Sequence, residues 1–298
     1  MSFSFDTKCE ICEDSLKKQC CKVSQLYGMV LFSQTLNAQN MKMTTENVVV
    51  INVLNDLANE VFGFNFNIGE NINSYFAYLD GKRLESLYKK LSINFGENSE
   101  ISINADVSDS ICCSYAFLKG AFLSAGYISN PENSYHFEIS TPHYSLAKSL
   151  ESLMKKLSFS AKIVVRKSSY VVYMKDSEHI ENFLCRVGAN SAAFSFMDAK
   201  IVKEMNNYSN RINNTKLHNI EKTLNKSVEQ VKAILHIENN IGLDSLEPDL
   251  AFAANLRKNN PDKSLNELVM LCDNKFSRSS LNRKLNKLVE ISSKIGVE

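Results

Sequence analysis

The chain has 298 residues, 44% of them hydrophobic and 22% charged, with 10 Gly and 4 Pro. That composition excludes a disordered tail, a collagen-like fibre and a linker-rich scaffold, and the length leaves room for two or three packed units. Its 34 basic and 33 acidic residues give a net charge of +1, which excludes wholesale wrapping of a polyanion and makes any nucleic-acid contact local.

In chain order, residues 23–32 are a short apolar segment carrying Gly28. Residues 47–62 place Val50, Leu54, Leu57, Ala58 and Val61 on one stripe, the i, i+4, i+7, i+8, i+11 spacing of a helix packed on one face. Residues 64–68 and 74–79 are aromatic and β-branched and read as paired strands, and Leu84, Leu87, Tyr88 and Leu91 mark another helix. The pattern then recurs. Residues 115–125 repeat the first segment at an offset of 92, and a turn at 129–133 precedes a strand at 135–141. At an offset of 96, Leu146, Leu150, Leu153, Met154 and Leu157 repeat the first stripe, strands at 159–165 and 170–174 follow, and Ile180, Phe183, Leu184 and Val187 repeat the second. The turn accounts for the change of offset. These matches predict an α+β domain over 1–190 built from two repeats, about 20–95 and 112–190, around a pseudo-twofold axis.

A mid-helix glycine costs about 1 kcal/mol relative to Ala, so Gly28 and Gly120 at equivalent places predict a close helix crossing, with Ser124 also at the repeat interface. These segments resemble the LAGLIDADG motif of homing endonucleases, in which two such helices join pseudo-symmetric halves. The resemblance implies that an acid near the end of each helix holds metal ions for phosphodiester cleavage. Here those positions are Ser33 and Ala125, and no Asp or Glu occurs from 22 to 45 or from 110 to 131. The expectation is therefore no catalytic residue, no metal and no nuclease activity; Glu46, Glu132 and Glu138 are the acids that could fold back.

From Ala193 the strand signals end. Residues 191–242 read as a helical linker, with Leu217, Ile220, Leu224, Val228, Val231 and Leu235 at helical spacing. The polar stretch 210–216, with Arg211 and Lys216, suits either a phosphate-facing surface or a solvated linker. Residues 243–298 show three helices in quick succession. Pro248 opens a buried stripe of Leu250, Ala253, Ala254 and Leu256; Ser264 and Glu267 form a capping box ahead of Leu265, Leu268 and Val269; a turn at 272–275 leads to Ser277 as N-cap, then Leu281, Leu285 and Leu288. This order predicts an all-α helix-turn-helix whose last helix enters the major groove of double-stranded DNA. With its leucines buried, that helix turns Ser279, Asn282, Arg283 and Asn286 outward as base-reading candidates, flanked by Lys275, Arg278, Lys284 and Lys287 as phosphate contacts. A three-helix protein-interaction module with a solvated face is the alternative on the residues alone.

The order of parts resembles the WhiA family of bacterial sporulation and cell-division regulators over nearly the whole chain. The stretches that carry it are AFLKGAFLSAGYISNPENSYHFEI at 116–139, NRINN at 210–214 with HNIEK at 218–222, and LEPDLAFAANLRKNNPDKSLNELVMLCDNKFSRSSLNRKL at 246–285. The resemblance implies a transcription factor that joins a degenerate LAGLIDADG-type domain to a helix-turn-helix similar to the promoter-reading region of sigma factors. It also implies RNA polymerase, a sigma factor or another regulator as partner. Ser33 followed by Gln34, and Cys9, depart from the family pattern.

Cys9, Cys12, Cys20 and Cys21 have poor spacing for zinc, because adjacent Cys20 and Cys21 do not readily aim both sulfurs at one ion. Cys112, Cys113 and Cys185 read as small core residues. The five histidines show no paired metal spacing, and no P-loop or dinucleotide fingerprint is present, so no cofactor is expected. No run approaches the ~18 apolar residues of a membrane span, and the first residues are acidic and polar where an export signal would be apolar. The expected setting is the cytoplasm, on the nucleoid, with reduced thiols and no membrane contact. A regulatory scaffold that binds protein or a small ligand is the second reading, and a metal-dependent endonuclease the third.

Overall fold

The computed structural model describes residues 2–95, 100–273 and 275–295; Asn274 of the predicted turn lies outside them. The chain divides into two compact units, Met1–Lys203 and Glu204–Glu298.

The first unit opens with a helix that the sequence reading missed, α1 (Phe3–Glu13), whose N-cap Ser2 accepts a hydrogen bond from the Phe5 N–H and whose Ile11 enters the core. Two equivalent runs follow. The first is α2 (Gln19–Leu31), β1 (Thr35–Leu36), β2 (Asn40–Thr45), α3 (Val48–Phe62), β3 (Asn67–Asn71), β4 (Ser74–Asp80) and α4 (Gly81–Lys90). The second is α5 (Ile111–Ala125), β5 (Gly126–Ile128), β6 (Phe137–Thr141), α6 (Tyr144–Lys156), β7 (Lys162–Arg166), β8 (Ser169–Met174) and α7 (Ser177–Val187). Each run makes an antiparallel sheet of the same topology, β1-β2-β4-β3 and β5-β6-β8-β7. Leu36 pairs with Met41 and Ile128 with Phe137, so the offset of 92 becomes 96 within the β5–β6 connection, where the turn was predicted.

Helices α2 and α5 are apolar nearly all round and pack against each other, residues 116–124 of α5 being covered without a break. The α3 stripe Val50, Leu54, Leu57 and Ala58 is buried, as is its copy Leu146, Leu150, Leu153 and Met154 in α6. Val61 and Leu157, equivalent positions, are half-buried in both.

Four details differ from expectation. Strand β6 begins at Phe137, not at 135, and the His136 carbonyl accepts from the Ser129 N–H just ahead of it. Strand β3 begins at Asn67, not at 64, because the Asn55 carboxamide takes the Phe66 N–H and the Phe64 ring packs between those of Phe62 and Phe66. Strand β7 begins at Lys162, not at 159, because the Phe159 N–H closes the end of α6 on the Met154 carbonyl. Cys185 is exposed, since α7 buries Ile180, Phe183, Leu184 and Val187 and residue 185 falls off that stripe.

Helix α8 (Asn190–Ile241) is one helix of 52 residues over the predicted linker. In the second unit it is followed by α9 (Pro248–Asn259), α10 (Leu265–Leu271) and α11 (Arg278–Ile295). Their core joins Ile234 and Ile237 of α8 to Leu243, Leu250, Ala253, Ala254, Leu268, Phe276, Leu281, Leu285 and Leu288. Pro248 stands in the first turn of α9, the Ser264–Glu267 capping box forms, and Ser277 caps α11 through the Ser280 N–H. The apolar row Leu217, Ile220, Leu224, Val228 and Leu235 is not the buried side of α8; those residues are exposed, and Ser227, Gln230, Ala233, Ile234 and Ile237 are buried instead.

Candidate nucleic-acid interface and the helix-pair cleft

Helix α11 turns three leucines inward, Leu281, Leu285 and Leu288, each fully buried. The seven-residue spacing of one helical face then carries Ser279, Asn282, Arg283 and Asn286 on the outer side, all exposed except half-exposed Asn282. Arg278 and Lys275 are exposed at its start, and the Lys275 ammonium lies 4.3 Å from the Phe252 ring centroid. The other two predicted phosphate contacts have carboxylate neighbours. Lys284 Nζ donates to Asp249 Oδ2 at 2.9 Å, and Lys287 Nζ is 3.6 Å from Glu247 Oε2. The Lys284 hydrogen bond and charge hold the Asp249 carboxyl below the usual carboxylate range.

Beside α11 lies a cleft of about 350 Å³ lined by Arg278 and Asn282 with Asn219, Lys222, Thr223 and Lys226 of α8, and by the start of α10. Four basic residues line it, Lys222, Lys226, Arg257 and Arg278, and no acid does among the described residues. The sequence reading missed Lys222 and Lys226; their four-residue spacing, which puts them on one helix face, was the available signal. Arg211 and Lys216 are exposed on α8 but do not line this cleft; Lys216 is six residues, about 9 Å, before Lys222. Arg257 was also missed. Its side chain is buried where Leu256 was expected, and Nη1 donates to the Lys263 carbonyl at 2.6 Å and to Ser227 Oγ at 3.3 Å, tying α8 to the α9–α10 connection. Burial lowers its pKa.

In the first unit α2 and α5 cross at their glycines. A Cβ on Gly28 would lie 2.3 Å from the Phe117 carbonyl oxygen, and one on Gly120 2.0 Å from that of Gln25, so each helix packs on the other's backbone. Where the two helices end, a cleft of about 660 Å³ is lined by Ser33, Ser124 and Ala125, with Lys8 and Glu46. The Ser33 hydroxyl donates to the Val30 carbonyl at 2.8 Å, and the buried Ser124 hydroxyl has no hydrogen-bond partner among the described residues. Of the three acids considered, Glu46 reaches the cleft. Glu138 is held by His136 at 2.8 Å and Arg166 at 3.1 Å, and neither it nor Glu132 is among the lining residues. Burial pushes the Lys8 ammonium pKa down to about 8, against the opposing pull of Glu46.

Two family models match: the WhiA LAGLIDADG-like domain over residues 114–206 and the WhiA C-terminal helix-turn-helix domain over 209–292. A protein of Ruminiclostridium cellulolyticum named "Probable cell division protein WhiA" is 34% identical, covering 99% of this chain and 98% of its own length. The chain belongs to the WhiA family. A second relative of the same name, from Desulfitobacterium hafniense, is 35% identical over 99% of this chain and 96% of its own. The crystal structure of full-length WhiA from Thermatoga maritima shares the fold with a TM-score of 0.58 at 21% identity, each chain covered completely. The N-terminal LAGLIDADG domain of WhiA gives 0.50 at 18% identity over 63% of this chain and 90% of that one. The WhiA helix-turn-helix match begins at 209, so the α8 residues lining the basic cleft fall within it.

A further group of side chains in this WhiA chain was not foreseen. Cys20 and Cys21, set aside as metal ligands, and Cys112 and Cys113, read as core residues, come together with all four sulfurs within 4.8 Å of one another. Cys9 and Cys12 do not join them; Cys9 Sγ accepts from the Asn47 carboxamide at 3.1 Å. Hydrogen bonds, first from Ser110 and then from Cys21, hold the Cys112 thiol down to about 7, while burial pushes Cys113 up to about 11.

Proposed function

We propose that this chain is a non-catalytic, sequence-specific DNA-binding regulator of bacterial transcription, acting on cell-division or sporulation promoters. The observation that carries this reading is the outer row of α11, Ser279, Asn282, Arg283 and Asn286, beside a basic cleft without acids. Arg283 has the donor pair for guanine, Asn282 and Asn286 the donor and acceptor for adenine, and Ser279 a hydroxyl for a base or a phosphate. Lys222, Lys226, Arg278 and Lys275 are placed to neutralise phosphates; Lys284 and Lys287 do so only after leaving Asp249 and Glu247. Arg211 and Lys216 add charge further along α8. The name carried by the relatives, cell division protein, supports the choice of target genes. A protein partner in the transcription machinery, RNA polymerase, a sigma factor or another regulator, and a place on the nucleoid follow from the same reading.

The absence of nuclease chemistry belongs to this proposal. A two-metal site needs several carboxylates around the ions, and the cleft at Ser33 and Ala125 offers Glu46 as its one acid among the described residues, with the Lys8 ammonium close by. Plasmid incubated with the protein and Mg²⁺ or Mn²⁺ stays supercoiled on this reading, and metal-dependent nicking would restore the endonuclease reading.

The deciding experiment is genome-wide crosslinking of the protein to DNA, repeated with Arg283→Ala and Asn282→Ala. Sharp promoter peaks that collapse in the variants support the proposal. Peaks unchanged by them would move α11 to a protein-binding role and favour a regulatory scaffold.

A further inference from the structure

The four gathered cysteines come from two places 92 residues apart, the same offset that relates α2 to α5, so Cys20 corresponds to Cys112 and Cys21 to Cys113. Each pair occupies the second and third residues of its helix. Within one helix, neighbouring side chains diverge by about 100° and hold a single ion poorly. The glycine crossing changes this by bringing two helix starts together, and the Ser24 hydroxyl of α2 donates to the Cys113 carbonyl of α5 at 2.9 Å. The thiols then meet across the pseudo-twofold axis, Cys21 with Cys112 and Cys20 with Cys113.

We propose that Cys20, Cys21, Cys112 and Cys113 bind one zinc ion as a tetrathiolate that staples the two repeats of the N-terminal unit together. Zinc–sulfur bonds of about 2.3 Å in a tetrahedron set the sulfurs roughly 3.8 Å apart, so a cage spanning 4.8 Å contracts by at most about 1 Å on loading. A sulfide-bridged iron cluster, with several metal ions between its cysteines, needs a wider cage. Four thiolates around one divalent ion carry two negative charges, and the first turns of α2 and α5 place the positive ends of two helices beside them. Neither helix caps those turns with a side chain: Lys18 makes no cap bond, and the Ser110 hydroxyl lies 3.1 Å from Cys112 Sγ instead. A cleft of about 380 Å³ lined by Cys20 and Cys113 gives an ion access from solvent. The site is at the opposite end of the helix pair from Ser33 and Ala125, so it is separate from the positions that LAGLIDADG nucleases use for their metals.

Binding exchanges four S–H protons for one zinc ion, with no change of oxidation state. Full-length protein produced with added zinc and purified under reducing conditions without chelator should contain one zinc per chain by elemental analysis. Cobalt(II) in place of zinc should give the intense visible bands of a tetrahedral thiolate. Cys20→Ser, at an exposed position that tolerates the change, should lower zinc affinity at least tenfold, and Cys9→Ser should leave it unaltered. Zinc-free protein with four titratable thiols at the cluster overturns the proposal. So does a mass lower by four hydrogens, which would mark two disulfides across the helix pair. The cobalt spectrum of the unmutated chain decides the matter even if a variant fails to fold, since the absence of those bands also overturns it.

Discussion

Lys119 Nζ donates to the backbone carbonyl of Asp14 at 2.6 Å and to its carboxylate at 2.8 Å, joining the middle of α5 to the end of α1. The lysine is 2% exposed and Asp14 about half exposed, so a buried ammonium is satisfied through one residue at the surface. Removing the carboxylate leaves that charge with less than its full set of partners. Asp14→Ala should destabilise the N-terminal unit by about 2–4 kcal/mol, read from chemical denaturation. Lys119→Met, which removes the charge as well, should cost less. If the two variants are equally stable, the ion pair does not hold α1 in place.

The glycine crossing leaves no room for a methyl group on either helix. Gly120→Ala puts a carbon 2.0 Å from the Gln25 carbonyl oxygen and must push the helices apart, at a cost of about 3 kcal/mol. Gly28→Ala should cost a similar amount, and the double variant less than the sum, because one separation relieves both clashes. Gly63→Ala, where φ is +75° and nothing lies within 4 Å, should cost only about 1 kcal/mol of backbone strain. Equal costs at the three positions would show that the crossing is not tightly packed.

Features set by a single stripe or a single offset were legible in the sequence. The α3 and α6 stripes, the change from 92 to 96 and the capping box at Ser264 are local patterns, and local energetics place them. Strand starts were misread where an aromatic residue had another use, as Phe64 and Phe159 do. The cysteine cluster is illegible in the sequence because its geometry depends on two helices meeting, whereas adjacent cysteines within one helix diverge. Arg257 was hidden by an apolar neighbour, Leu256, at a position where the buried side of α9 meets the carbonyl groups of the next connection. On α8 the apolar row misled: its residues are exposed, while polar Ser227 and Gln230 are buried.

Lys8 gives the helix-pair cleft a pH signature. Its ammonium pKa is about 8 in the folded chain and about 10.5 when unfolded, so below pH 8 the fold bears the cost of a desolvated charge. As pH rises from 8 to 10.5 the unfolded state holds more protons than the folded one, and stability gains from this group. Lys8→Met should therefore stabilise the N-terminal unit at pH 7, by about 1–2 kcal/mol once the solvent reaching the cleft is allowed for. The advantage should shrink between pH 8 and 10.5 in paired thermal melts. An advantage that is constant with pH would trace the effect to packing.

The ion pair between Lys284 and Asp249 restrains a cation on α11. Lys284 Nζ also lies 5.0 Å from the Phe276 ring centroid, so its ammonium is engaged by both Asp249 and an aromatic face. Because Lys284 holds the Asp249 carboxyl below its usual range, mild acid does not release the lysine, and substitution is needed to do so. Asp249→Asn should free one cation for a phosphate and remove one repulsive charge near the duplex. Binding to a promoter fragment should tighten, and the slope of log K against log salt should steepen by about one. Adding Lys284→Ala should return the slope to its original value while Arg283→Ala relaxes base preference without altering it by more than its own charge. A slope that Asp249→Asn leaves unchanged would mean that Lys284 stays with α9 when DNA is bound, and that the phosphate contacts come from Lys222, Lys226 and Arg278 around the neighbouring cleft.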